Sequence, residues 1–325
     1  MPPVDRTNPK RAKSSDSRVS FMEFMREFPD DATCLEHLWR TRYADDGEHA
    51  ECPKCEQVRS FKKYTTTQKR QSWTCTACGH HIHPTAGTIF HKSSTSLHLW
   101  FYAIYLVSSS RCGIAAKQVE REIGVNYKTA LRMLHLIRQE LMDQEDQGQV
   151  GGIVEADETF IGGRVREGER RAREAAGIPP RPYVKTKAIV VGVVARRGKI
   201  RAKVVDRRGD AQKTVREFTL PGSMVFTDDW PGYHGLDKRN RYDGRATYQH
   251  RRINHSQRIY VDGPVHTQTI EGFFGHFKND LRGTHHSVSA KWLPGYLNEW
   301  VWKWNHRNDD EAMFRSLLAN AVSPL

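Results

Sequence analysis

Two sets of side chains in this 325-residue sequence are spaced for chemistry: thiols near the N-terminus and carboxylates further along. Cys52-Pro-Lys-Cys55 and Cys75-Thr-Ala-Cys78 are separated by 19 residues, giving C-x2-C-x19-C-x2-C. Two such knuckles carry four thiolates to the corners of a tetrahedron, the geometry of structural zinc. Gly79 suits the tight turn that closes the second knuckle. With every ligand supplied by protein no position is left open for chemistry, so this ion would hold a fold. Redox thiols, or His80, His81 or His83 replacing one ligand, are the alternatives. Cys34 and Cys112 stand alone and read as buried or incidental thiols.

The carboxylates are far apart in sequence. Asp157 lies in the strand-like run IVEADETF, Asp228 follows the apolar run ending VFT, and Glu271 falls near the start of TQTIEGFFGHFKNDL, which has helical spacing. Gathered at one edge of a sheet, such residues can hold two Mg²⁺ ions. An ion pair about 3.5–4 Å apart activates an attacking oxygen and stabilises a leaving one in in-line displacement at phosphorus. Hard oxygen ligands suit Mg²⁺ and select against soft metals. Pattern alone does not separate these residues from Glu155, Glu158 and Asp229, which read equally well as surface or supporting carboxylates. Lys278 follows Glu271 by two helical turns, so a cation shares its face and could grip a phosphate beside the metals.

The elements that must position these groups follow from periodicity. Apolar residues at roughly helical spacing predict two short helices within Phe21–Tyr43, broken at Pro29. Ile114–Met142 predicts a helix-turn-helix, with helices either side of Gly124-Val125 and Asn126 as the second helix's cap. Ala130, Leu134, Ile137 and Leu141 would be its buried face, and Lys128, Arg132, His135 and Arg138 its basic one. Tyr127, Lys128 and Thr129 are then the candidate base readers. An ordinary helical hairpin with a solvated face is the bland alternative. Beyond the polar hinge Asp143–Gly152, strands are expected at Ile153–Phe160, Ala188–Ala195, Ile200–Val205 and Ser223–Thr227. Helices are expected from an Asp210 cap to Phe218, and over about 230–238, 267–281 and 290–306. Trp292, Trp300, Trp302 and Trp304 recur with Leu293, Tyr296, Leu297 and Val301 as a core helix would require. The order is that of a mixed α/β sheet with helices on its faces.

Charge narrows the partner. A formal net charge of +13 and a pI near 9.5 point to a polyanion, nucleic acid ahead of a membrane surface. The tract Asp237–Arg258 carries seven Lys or Arg against two Asp, with Tyr242 and Tyr248 interleaved. It would line a DNA path through Arg251 and Arg252 among others, or else be a solvated loop. The longest apolar run, Leu99–Val107, is far short of a membrane span, and no signal sequence is apparent. A soluble, intracellular protein with no membrane partner is expected.

VEADETFIGG, TDDWPGY, HTQTIEGFFGHFK and YLNEWVWKWNHR, in that order, resemble the bacterial insertion-sequence transposases that carry an N-terminal zinc ribbon and a ribonuclease-H-like DDE domain. GTIFHKSSTSLHLWFYAIYLV also resembles that family's linker into its helical region, and the likeness covers about residues 20 to 310. The resemblance implies catalytic residues at Asp157, Asp228 and Glu271, holding two Mg²⁺ ions that Mn²⁺ could replace, with Lys278 as the basic residue. It implies a ribonuclease-H-like α/β fold preceded by a zinc ribbon with structural Zn²⁺ and a helix-turn-helix. It further implies binding to an element's terminal repeats and target DNA, phosphodiester hydrolysis at the 3′ ends, and strand transfer. A homodimer or larger assembly on DNA is expected, in the bacterial cytoplasm. Where the family commonly reads HTN, this chain has His266-Thr267-Gln268, and 164–181 is a loop extension with no assigned role. The expected organisation is a disordered basic arm (1–20), a helical segment (21–47), the ribbon (48–92), the helix-turn-helix region (93–146), the catalytic domain (151–309) and a tail (310–325). The rivals are a structure-specific nuclease that cleaves without joining, and a transposase-derived DNA-binding regulator.

Overall fold

The computed structural model describes residues 19–64, 71–143, 148–162, 167–178, 187–196, 198–238, 246–253, 265–309 and 311–323. The expected basic arm, apart from its last two residues, lies outside these, as does Tyr242. The chain divides into two compact units. One comprises the described residues to Met142 with those from His306 onward; the other is Asp143–Asn305.

The first unit begins with α1 (Phe21–Glu27) and α2 (Asp31–Arg42). Ser20 and Glu23 close a reciprocal capping box on α1, and the Asp30 carboxylate caps α2, so local polar residues set both helix starts. Strands β1 (His49–Cys52), β2 (Gln57–Tyr64), β3 (Ser72–Cys75) and β4 (His81–Ile82) form an antiparallel sheet in that order. Trp39 of α2 stacks on Trp73 of β3 with ring centroids 4.8 Å apart. Three further helices follow: α3 (Leu97–Ser109), α4 (Ala116–Ile123) and α5 (Tyr127–Leu136), the last continued by a π-helical turn over Ile137–Leu141.

The second unit is organised on a five-stranded sheet. It contains β5 (Ile153–Gly162), the short helix α6 (Glu167–Ala175), β6 (Lys187–Ala195), β7 (Ile200–Val205), α7 (Ala211–Phe218), β8 (Met224–Asp228) and β9 (Gln249–Ile253). The sheet order is β7-β6-β5-β8-β9; the first three strands are antiparallel and β8 and β9 run parallel to β5. Helix α7 closes one face over Val154, Ala156, Val191, Val193 and Val225. Helices α8 (Gln268–Gly283) and α9 (Leu293–Asn305) close the other over Val190, Val194 and Ala202. The alternation of the strands thus feeds two cores from one sheet. Trp302 is buried and Trp292, Trp300 and Trp304 pack against the α8–α9 core. This mixed α/β architecture is consistent with a ribonuclease-H-like transposase domain.

Several sequence expectations differ from the structure. Residues 230–238 hold only a 3-10 turn at Pro231–Tyr233, because a Pro-Gly pair and Gly235 at φ +93° interrupt the helical backbone. Asp210 stands at the N-cap of α7 as expected, but its side chain makes no cap hydrogen bond; its carboxylate instead accepts the Arg207 amide in a 3-10 turn running straight into the helix. The basic tract contributes strand β9, and the 164–181 extension contains α6. Residues 310–325 include α10 (Met313–Val322), whose Phe314 packs edge-on to Phe24, Phe28 and Tyr105 in the first unit. No described helix is long and apolar enough to cross a membrane.

Candidate active site

The register between β5 and β8 determines which acids meet. Val154 lies opposite Val225 and Glu155 opposite Phe226, the last ladder pair, and carrying that register two residues further brings Asp157 level with Asp228. Side chains directly opposite in a parallel pair project to the same face, and both acids lie at the carboxyl ends of their pairing, where α/β sheets bind ligands. Carboxylate oxygens of Asp157, Glu158 and Asp228 all lie within 4.8 Å of one another. Burial, then Glu158 and Asp228, push the Asp157 carboxyl well above the usual carboxylate range. A divalent cation relieves this kind of mutual repulsion, and an all-oxygen donor set fits Mg²⁺ or Mn²⁺.

Glu158 is differently employed. Its Oε1 accepts from Arg208 Nε at 3.0 Å and Nη2 at 2.6 Å, and its Oε2 accepts from the Tyr233 hydroxyl at 2.6 Å. The Arg208 guanidinium lies 4.0 Å over the Trp230 ring, so Glu158 is clamped between the turn before α7 and the turn after β8. Burial, then Glu158, hold the Tyr233 phenol well above its ordinary range, which keeps the hydroxyl a donor. Asp229, beside Asp228, pairs with Arg252 Nη1 at 3.3 Å. Arg252 also reaches His234 Nε2 at 2.6 Å.

Glu271 sits in the first turn of α8, and its carboxylate acts on the titration of Asp157 across the sheet–helix junction. It is outside the tight three-acid group, and its Oε1 accepts the Thr267 hydroxyl at 2.6 Å. Gln268, the departure from HTN, is the exposed first residue of α8, three residues before Glu271 and on its face. Burial lowers the Lys278 ammonium from its ordinary value while Asp157 draws it back up, which places this cation within electrostatic reach of the acids.

In the first unit Cys52, Cys55, Cys75 and Cys78 converge. The Cys52–Cys78 sulfur separation is 3.6 Å and the Cys55–Cys75 separation 4.0 Å. Tetrahedral zinc with Zn–S bonds of about 2.3 Å requires sulfurs about 3.8 Å apart, so the cluster fits a zinc ribbon. Burial raises the Cys75 thiol, but the Cys78 and Ala77 amides outweigh it and bring it down to about 7.

The remaining candidates are dispersed. Tyr127, Lys128 and Arg132 are exposed on α5, with Lys117 Nζ 5.4 Å from the Tyr127 ring centroid. Thr129 is half-buried, and its amide donates to the Asn126 cap. Arg138 is buried rather than on the basic face, its Nη2 donating to the Ile114 carbonyl. Arg251 and Arg252 are exposed on strand β9. Tyr248 does not interleave with them: it is 2% exposed and its hydroxyl donates to the Thr219 carbonyl at 3.1 Å. Sequence pattern does not single out Arg196, Arg208 or the roles of Glu155 and Tyr233. Only the placement of Tyr233 in TDDWPGY hints at one of them.

Residues 149–305 match the family described as the ISXO2-like transposase domain. No curated protein and no solved structure matched the chain.

Proposed function

We propose, from the premise that residues 149–305 belong to the ISXO2-like transposase domain family, that the chain is a DNA transposase acting at the ends of its own element. The observation that carries this reading is the register that brings Asp157 level with Asp228, with Glu271 entering from α8. Asp157 and Asp228 would hold the metals between them and Glu271 would complete the set. Bound there, two Mg²⁺ or Mn²⁺ ions supply activation of the attacking oxygen and stabilisation of the leaving one. Lys278 orients the DNA strand by holding a phosphate beside the acids. Glu158 and Asp229, already engaged by arginines, support the strand ends on which the ligands sit.

Around this centre, the four-cysteine sheet holds structural zinc, and Tyr127, Lys128, Thr129 and Arg132 read the terminal repeats from α5 as the second helix of a helix-turn-helix. Arg251 and Arg252 contact phosphates along the edge strand. The enzyme hydrolyses the phosphodiester at the 3′ ends and then uses the 3′ hydroxyls to attack target DNA. Two ends must be joined, so it works as a dimer or larger assembly on DNA.

The test uses duplexes carrying the inverted repeats that flank the gene, with Mg²⁺. Wild type should cleave and join. Asp157→Asn should lose about 10³-fold in rate, ~4 kcal/mol of transition-state stabilisation, while retaining DNA affinity. Cleavage without joined products would establish the nuclease rival. Full activity in Asp157→Asn would remove the residue from the site.

A further inference from the structure

We propose that Glu155, with Arg196, is the positioning pair that fixes the three acid-bearing elements relative to one another. The proposal rests on the reading of Asp157, Asp228 and Glu271 as metal ligands and adds a residue that this reading does not use.

A helix begins with amide N–H groups that have no intrahelical partner, and a side chain at the cap position ordinarily meets them. In α8 that residue is Thr267, whose side chain makes no cap hydrogen bond; its hydroxyl is turned onto Glu271. The deficit is made good from another element. Glu155 of β5, fully buried, accepts the Thr269 amide at 2.8 Å and the Ile270 amide at 3.2 Å through Oε2, and the Thr269 hydroxyl at 3.0 Å through Oε1. A carboxylate at that end also complements the helix dipole.

A buried carboxylate needs a counter-charge as well. Arg196 Nε donates to Glu155 Oε1 at 2.8 Å, and Arg196 Nη2 donates to the His266 carbonyl at 3.1 Å, in the segment entering α8. His266 Nδ1 lies 3.2 Å from the same Glu155 oxygen. The guanidinium is 4.8 Å from the centroid of Phe226, the β8 residue paired with Glu155. The offsets give the arrangement its meaning. Glu155 is two residues before Asp157 on the same face of β5, Phe226 is two residues before Asp228, and Ile270 immediately precedes Glu271. One ion pair therefore joins the three segments directly beside the three ligands. Partners of this kind typically govern metal affinity or activity by about 10–100-fold.

Glu155→Gln keeps the shape and one acceptor oxygen but loses the charge that holds Arg196. Full-length protein would be titrated with Mn²⁺, following free Mn²⁺ by electron paramagnetic resonance, with zinc content measured in parallel. End cleavage at varied Mg²⁺ gives the second readout. The proposal expects Mn²⁺ affinity about 10-fold or more weaker, a matching rise in the Mg²⁺ needed for half-maximal cleavage, and unchanged zinc content and DNA affinity. Arg196→Lys, which keeps the charge but not the forked donor set, should fall between. If Glu155→Gln is less stable to denaturant yet binds Mn²⁺ like wild type, the pair is merely structural and the proposal is overturned. Wild-type Mn²⁺ binding and cleavage in a fully stable variant would overturn it equally. A separate arm isolates the underlying reading: if Asp157→Asn combined with Asp228→Asn still binds Mn²⁺, the ligand assignment fails, whatever Glu155 does.

Discussion

Gly192 provides the most direct test of how closely the helix bearing Glu271 must approach the sheet. It is paired opposite Asp157 in the β5–β6 ladder, beneath the start of α8. An added Cβ would stand 2.8 Å from Ile270 Cδ1 and 2.9 Å from Phe274 Cζ. Carbon atoms normally settle about 3.5–4.0 Å apart, so Gly192→Ala asks for roughly 0.6–1.2 Å of extra space. Ile270 and Phe274 are both buried, so neither can swing aside freely. Overpacking of this kind costs about 1–3 kcal/mol. Removing a glycine from the unfolded chain returns about 0.4–1 kcal/mol, since position 192 lies in a regular strand and needs no special backbone angle. The net loss of stability should be only about 0–2.6 kcal/mol. The effect on rate should be larger, because lifting the first turn of α8 moves Glu271 and a misplacement near 1 Å costs up to about 100-fold. Urea denaturation would give the first number, and single-turnover cleavage of an end duplex at saturating Mg²⁺ the second. Adding Ile270→Val deletes the atom at 2.8 Å and should recover part of both losses. A Gly192→Ala protein with wild-type rate and stability would show that α8 tolerates a methyl group at position 192. A double variant no better than the single one would show that the collision is not the cause.

Two further outcomes follow from other parts of the molecule. Cys75→Ser should lower zinc from one ion per chain and expose the amides of β1–β4 to hydrogen exchange, since structural zinc contributes an apparent free energy of about 10–16 kcal/mol, far more than a small sheet can replace. Retained protection without metal would show that packing such as Trp39 on Trp73 suffices. His250, hydrogen-bonded to the Thr227 hydroxyl, is held down at about 4 by burial first, with Arg252 and His234 adding to it and Asp237 opposing. Its unfolded value is about 6.5, so between these limits the unfolded chain binds more protons and stability falls as pH drops from about 6.5 towards 4. The full shift would be worth ~2 kcal/mol at pH 5, and screening of a partly exposed ring reduces this to about 1. His250→Gln should flatten that acid limb in urea midpoints taken at pH 7 and pH 5. An unchanged slope would assign it to other groups.

The sheet is legible in the sequence where one side of a strand is apolar and hidden where neither is. Ile153–Phe160, Ala188–Ala195 and Ile200–Val205 alternate or run apolar because each is covered by helices, and all three strands form within two residues of those bounds. Strand β9 reads as a basic loop because QHRRI buries little beyond Ile253. Its place is set by hydrogen bonding to β8, which side-chain pattern does not encode. Helix α6 escapes notice for a related reason: EGERRAREA has no apolar stripe to reveal a helical period. At 230–238 apolar residues do recur at helical spacing, but Tyr233 and Leu236 reach the α7-side core from consecutive turns instead.

The site is harder to read because its decisive information is pairwise. EADE packs three acids into four positions, and nothing in that string says which one meets an acid of the next strand and which one meets an arginine. In the fold, Glu155 is paired with Arg196, Glu158 with Arg208 and Asp229 with Arg252. Those arginines come from the β6–β7 turn, the turn before α7, and β9, none of them near the acids in sequence. A carboxylate whose charge is met by a guanidinium is a poor ligand for a divalent cation, since the cation must first displace the existing partner. The arginines therefore mark Glu155, Glu158 and Asp229 as acids that brace the strands, while the β5–β8 register brings Asp157 and Asp228 to one position at the sheet edge. The family resemblance selects Asp157 and Asp228 over their neighbours, and strand register together with the braced neighbours supplies a physical reason for the same choice. That reason is portable: in a chain without a recognisable motif, acids sharing a register position at the carboxyl edge of a parallel pair would be the first to mutate, and those clamped by arginines the last.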